Sequence, residues 1–334
     1  MQNLGTIDNT YTIQTLKGEE GFFYYIFTVR HNQTQDFQLI EVYKNALPAN
    51  LINIMNNLNA LNHPYIIRFI GQGNGPIALN NHPQINRPYI VYENVTHSYL
   101  FYYISAQEFT ERQSKLIFKK ILEGVRVMHN ANICHRNLKP GSILLDENYN
   151  PKIAGFCLSC INTNNLQSAG TKSYEAPEVL ARQPYDGIKA DIFSLGQLLI
   201  NLVTSQNGFL SSSKNDKYYR LIIEQNIDHY WHELHQINHL DLSQEFKNLF
   251  IRMVNPNPAQ RPTIDEILND AWMQEINNLN QEQINALENE VRNEFQLREP
   301  QVQQLQQNQQ NINNINFFKK IIYLVLSSLL KSSS

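Results

Sequence analysis

The chain has 334 residues, 42% of them hydrophobic and only 17% charged, with a formal net charge of −3. That length supports one large or two modest domains with a sizeable core, and that charge leaves no electrostatic footprint for nucleic acid. Three cysteines, an odd number, do not make a secreted disulfide framework. With no basic and then apolar leader in MQNLGTIDNTYTIQT, a cytoplasmic, reducing setting is the expectation.

Residues 12–43 alternate and are rich in Tyr, Phe, Ile and Val, which predicts three strands joined by short turns. Residues 51–61 carry apolar side chains at 51, 54, 55, 58 and 61, the spacing of a helix. YIIRFIG and RPYIVYE read as two more strands, with a Gly-, Asn- and Pro-rich loop over 71–87 between them. From residue 98 the character changes. Helical periodicity runs over 109–129, with Thr110 as a cap, and returns over 188–203 and 243–253. A small β-rich part thus precedes a larger helical part.

Past Trp272 the pattern weakens. Ile276, Leu279, Ile284, Leu287, Val291 and Phe295 make one imperfect helical face. QVQQLQQNQQNINNIN is low-complexity and reads as a disordered tail. The final IIYLVLSSLL is too short to span a bilayer, which takes about 20 apolar residues. It reads as a docked or sticky chain end, with an interfacial membrane anchor as the alternative.

Five stretches, in order, carry a family resemblance: HPYIIRF, HRNLKPGSILLD, GTKSYEAPEVL, YDGIKADIFSLG and QRPTIDEIL. Together they make the chain resemble a eukaryotic serine/threonine protein kinase, most of all the calcium/calmodulin-dependent and AMP-activated group. The resemblance covers residues 11–273. It implies an α+β, bilobal fold: a small antiparallel β-sheet lobe with one helix over about 1–93 and a larger, mainly helical lobe over about 94–275, with 276–334 as an Asn/Gln-rich tail. It implies a buried Glu178–Arg261 ion pair. It gives Asp191 the role of accepting from catalytic-loop backbone. His135 and Phe156 would stack with Leu58 and Phe69 as a column joining the lobes.

The same resemblance exposes what has changed. Phosphoryl transfer needs positioning and charge neutralisation more than covalent chemistry. Where the family has its Asp base this chain has Asn137, and an amide orients a hydroxyl without taking its proton. The family's two metal-holding positions fall on Ser142 and Gly155, so neither offers the carboxylate or amide oxygen that Mg²⁺ prefers. An ungapped match of FQLIEVYK to the family's strand-three pattern puts Ile40 where the phosphate-gripping Lys belongs, pointing at the cleft. It puts Gln38 where a small Ala lies over adenine, and counting back from His63 puts Ile54 at the partner Glu. The glycine-rich loop would fall on Glu19, Gly21 and Tyr24, with one glycine left. Ile26 and Leu144 fall among the remaining nucleotide-site positions, and Tyr92 at the gatekeeper. Lys139 and Thr171 match the family's substrate-side residues. Lys17 is the best candidate for a relocated cation. Gln167 stands where the family often has an activating Thr, beside Ser168, with Arg136 still present to meet a phosphate.

Cys157 and Cys160 form C-L-S-C, with Cys134 nearby in such a fold. Zinc or redox chemistry is one reading, and simple packing is the blander and favoured one. The expectation is therefore a pseudokinase that acts as a signalling scaffold or allosteric partner, with no cofactor, and with protein partners the sequence does not identify. The alternative is a divergent serine/threonine kinase that retains ATP and Mg²⁺ and transfers phosphate weakly.

Overall fold

The computed structural model describes residues 4–20, 23–79, 84–162, 168–238 and 241–331, and of 18–20, 237–238 and 310–331 the backbone alone. The chain divides into two compact units, one of residues 1–49, 68–95 and 300–334, the other of 50–67 and 96–299.

The first unit is a closed antiparallel barrel. Its strands are β1 (Gly5–Ile7), β2 (Tyr11–Glu20), β3 (Tyr24–His31), β4 (Phe37–Tyr43), β5 (Phe69–Leu79) and β6 (Ile85–Tyr92), in the order β1-β2-β3-β4-β6-β5. The alternating pattern over 12–43 gives β2, β3 and β4 as expected, because strand side chains point to opposite faces in turn. One set, including Ile13, Leu16, Phe27, Val29, Ile40, Val42, Ile77 and Val91, fills the interior. β1 closes the barrel by pairing with β5 and was not foreseen. Nor was the length of β5, since most of the stretch read as a loop over 71–87 is strand. Gly73 and Gly75 lie two apart on it. A Cβ at Gly73 would stand 2.3 Å from the Tyr89 ring, and one at Gly75 2.4 Å from the Asp8 carboxylate. These glycines admit the Tyr89 hydroxyl to Asp8 at 2.9 Å rather than marking a turn.

The second unit is mainly helical. It holds α1 (Leu51–Leu61), α2 (Leu100–Ala106), α3 (Glu111–Asn130), the short strands β7 (Ile133–Cys134), β8 (Ile143–Leu145), β9 (Pro151–Ile153) and β10 (Cys160–Ile161), then α4 (Pro177–Leu180), α5 (Gly187–Thr204), α6 (Lys217–Ile223), α7 (Ile227–Asn238), α8 (Gln244–Met253), α9 (Ile264–Leu268), α10 (Gln274–Asn277) and, of α11 (Gln281–Lys331), the part up to residue 299. Helix α3 opens with a capping box, Thr110 accepting from the Gln113 N–H and Gln113 answering at the Thr110 N–H, which satisfies donors the helix leaves open. Helix α1, assigned to the small lobe from sequence, belongs by its contacts to this unit, beside β10.

The tail read as disordered is helical. Gln, Leu and Glu are good helix formers, and the first half of α11 has something to hold. Phe295 stacks on Tyr149 at 5.4 Å and meets Tyr103 and Phe109. Arg298 lies 3.7 Å over the Phe109 ring and donates to the Gln107 and Glu108 carbonyls. Glu299 accepts from Tyr103 at 2.6 Å and meets His97 at 2.7 Å. The side chains of the apolar run 321–330 lie outside the described residues. No helix among the described residues is long and apolar enough to cross a membrane.

Candidate functional site: a kinase-type catalytic loop

Strand β4 corrects the register read from sequence. Ile40 is fully buried in the barrel interior, packed with Phe27, Val29 and Val42. A phosphate-gripping group cannot project into a closed apolar barrel. Gln38 shares the face of Ile40, with its Oε1 buried and without a hydrogen-bond partner among the described residues, so it does not take the place next to adenine either. The opposite face carries Leu39, Glu41 and Tyr43. The family pattern therefore fits one residue later, with Leu39 at the small residue, Ile40 at the apolar spacer and Glu41 at the cation. Glu41 is almost fully buried. Its Oε2 accepts from the Tyr43 hydroxyl at 2.9 Å and from the Tyr92 hydroxyl at 3.1 Å. Ile26 stands opposite Glu41 in the β3–β4 ladder. No lysine on β4 anchors the pattern in either register.

Lys17, on β2, donates from Nζ to the Val95 carbonyl at 2.9 Å. Burial lowers its pKa from the ordinary 10.5 to about 8. Between those values the unfolded chain holds a proton that the folded chain has shed, so stability rises with pH there. From about pH 8 to about pH 9.5 Lys17 is expected to contribute a gain of about 1–2 kcal/mol. Lys17→Met should remove that part of the slope. Urea midpoints of both proteins across this range check it, and parallel curves contradict it.

In the second unit the loop after β7 gathers the substrate-side groups. Asn137 accepts at Oδ1 from the Thr171 hydroxyl at 2.8 Å, and Lys139 Nζ donates to the same hydroxyl at 3.0 Å. The amide keeps the acceptor of a carboxylate and loses its basicity. Ser142 is buried and turned inward: its hydroxyl donates to the Lys139 carbonyl at 2.8 Å and accepts from the Lys139 N–H at 3.0 Å. Gly155 has a left-handed backbone, φ 77° and ψ 46°, and brings no side chain. Leu144 is buried on β8 and Ile54 is buried on α1. Gly21 and Gln167 lie outside the described residues, as do the Glu19 side chain and its surroundings.

The frame under this loop is built from charged hydrogen bonds. Asp191, fully buried on α5, accepts from the His135 N–H at 2.7 Å and the Arg136 N–H at 2.8 Å, and meets His129 at 3.1 Å. His135 Nδ1 accepts from the Asn137 N–H. Its proton therefore sits on Nε2, which lies 2.8 Å from the Ala154 carbonyl. Burial lowers the His135 pKa and keeps the ring neutral. The ring packs on Phe156 at 5.1 Å. Arg261 binds Glu178 through two parallel bonds of 2.6 and 2.7 Å. Arg136 donates to the Tyr185 hydroxyl at 2.9 Å and to the Leu158 carbonyl at 3.2 Å.

These residues do not fit Mg²⁺ bound to a nucleotide. A hard dication calls for oxygen donors, usually carboxylate. Gly155 supplies none, and the Ser142 hydroxyl is engaged with its own loop. Among the described residues no group of three or more His, Cys, Asp or Glu can hold a metal ion.

The protein kinase domain family matches residues 27–273. Among curated relatives, CBL-interacting serine/threonine-protein kinase 15 of Arabidopsis thaliana is 28% identical over 265 residues, 76% of this chain and 58% of that protein. CBL-interacting serine/threonine-protein kinase 26 of Arabidopsis thaliana is 32% identical over 213 residues, 59% of this chain and 46% of that protein. CBL-interacting protein kinase 26 of Oryza sativa subsp. japonica is 31% identical over 198 residues, 58% and 38% of the two chains. The matches thus span about half the length of these relatives. The strand-rich and helical units, the Asp191 and Arg261 anchors and the match across 27–273 lead to one conclusion: the chain belongs to the protein kinase domain family.

Proposed function

We propose that this member of the family is impaired in phosphoryl transfer and acts by engaging protein partners through its kinase fold. The observation that carries the reading is Glu41, a buried carboxylate held by two tyrosines in the register of the phosphate-gripping cation. Ile54 at the partner position, Asn137, Ser142 and Gly155 point the same way. The relatives' names record an interaction with CBL, which makes CBL a candidate class of partner for this chain.

The relatives are themselves named kinases, and that favours a second reading, a divergent serine/threonine kinase that retains ATP binding and weak phosphoryl transfer. A thermal-shift titration with ATP, with and without Mg²⁺ or Mn²⁺, separates the two. Ligand at 100 times its Kd stabilises a fold by about 2.7 kcal/mol. The proposal expects no metal-dependent rise in Tm. A saturable rise that needs the metal overturns it in favour of the second reading.

A further inference from the structure

The two sulfurs of Cys134 and Cys160 stand 3.4 Å apart. The residues are direct partners in the β7–β10 ladder, Cys160 opposite Cys134 and Ile161 opposite Ile133. Directly opposed residues in an antiparallel pair have Cα separations of about 4.5–5.5 Å, inside the range a disulfide accepts. The sulfurs are reduced and need to approach by about 1.4 Å from 3.4 Å to form the bond. Cys134 is fully buried and Cys160 is partly exposed.

We propose that Cys134 and Cys160 form a covalent-modification site, which peroxide converts into a cross-strand disulfide. Cys160 meets the oxidant, because it is the accessible member of the pair. The Arg136 guanidinium lies 3.5 Å from its sulfur, the kind of cationic neighbour that makes a thiol reactive. The hydrogen bond from Cys134, helped by Arg136, holds the Cys160 thiol below its ordinary pKa, while the same bond and burial push Cys134 up. The Cys160 thiolate attacks one peroxide oxygen. An S–O bond forms, the O–O bond breaks and hydroxide leaves, giving sulfenic acid. Cys134 then attacks the Cys160 sulfur, forming S–S and breaking S–O. Its proton leaves with the hydroxide as water. In sum, two thiols and one peroxide give a disulfide and two waters.

The bond would tie the strand that leads into the Asn137 loop to the first strand of the segment that leads to Thr171. That function is separate from phosphoryl transfer and requires none. Cys157, although it forms the sequence motif with Cys160, is not the partner proposed.

The test is peroxide titration of the purified full chain, followed by unfolding, thiol counting and non-reducing peptide mapping. Free thiols should fall from three to one. One cross-linked species should join the Cys134 and Cys160 peptides and disappear with dithiothreitol. In Cys134→Ser the Cys160 sulfenic acid should persist and be trapped by dimedone. In Cys160→Ser, Cys134 should stay reduced. Three thiols surviving peroxide that oxidises free glutathione, or a cross-link through Cys157, overturns the proposal. The wild-type map decides even where a variant fails to fold.

Discussion

Arg261→Ala is expected to lower the unfolding free energy by about 3–5 kcal/mol, the cost of removing one side of a buried ion pair. Arg261 is 2% exposed. Its guanidinium meets both oxygens of Glu178, donates to the Asn255 carbonyl at 2.9 Å and the Lys189 carbonyl at 3.0 Å, and lies 5.0 Å from the Phe193 ring centre. Removing it leaves a carboxylate and two carbonyls short of partners. Arg261→Lys keeps the charge and loses the planar fork, so it should fall between wild type and Ala. The double replacement Glu178→Leu with Arg261→Met removes both charges and should recover part of the loss. It cannot recover all, because the two carbonyls stay unpaired. Urea unfolding of the four proteins measures this. An Arg261→Ala unfolding free energy within about 0.5 kcal/mol of wild type, the usual range of a surface change, would show that the pair holds nothing together.

The fold was largely legible because its signals are periodic. Alternation over 12–43 gave three barrel strands, and the i, i+3, i+4 spacing gave α1, α3, α5 and α8 within a residue or two. Composition misled where it was read as punctuation. Gly73 and Gly75 looked like a loop and are strand positions vacated for Tyr89 and Asp8. The Gln-rich stretch looked disordered and is helical, continuing from a segment anchored by Phe295, Arg298 and Glu299, whose partners include Tyr103 and Glu108, 196 and 190 residues before the side chains they meet. In the site, motif positions such as Asn137, Thr171, Glu178 and Asp191 could be located because short strings of neighbours pin them. Strand β4 has no such string, so the sequence leaves its register open by one residue. A one-residue slip moves a side chain to the other face of a sheet, and only the burial of Ile40 against Val29 and Val42 reveals it. The Cys134–Cys160 juxtaposition depends on a two-residue ladder, which no periodicity announces.

Restoring one chemical group is expected to leave phosphate transfer at background, because on the proposed reading the defects act in series. Asn137→Asp returns a base, a group worth about 10²–10⁴-fold in rate, yet Ser142, Gly155 and Glu41 still lack the metal ligands and the cation of the family pattern. Gly155→Asp returns a metal ligand at a left-handed position that Asp tolerates, yet on the proposed reading Glu41 still stands at the cation position. Glu41→Lys returns a cation at that strand position, yet the partner Glu that the family resemblance places at Ile54 is still missing. Groups that work as one unit are strongly non-additive. Any gain should therefore appear only when Leu39→Ala, Glu41→Lys, Ile54→Glu, Asn137→Asp, Ser142→Asn and Gly155→Asp are combined. Transfer of labelled phosphate to a generic protein substrate measures this for wild type, the three single variants and the combination, with a melting curve on each as a folding control. A single variant that turns over well above wild type would show that the remaining groups suffice. Robust wild-type transfer that disappears in Lys17→Met would instead make Lys17 the cation, swung from the Val95 carbonyl to the phosphates when nucleotide binds.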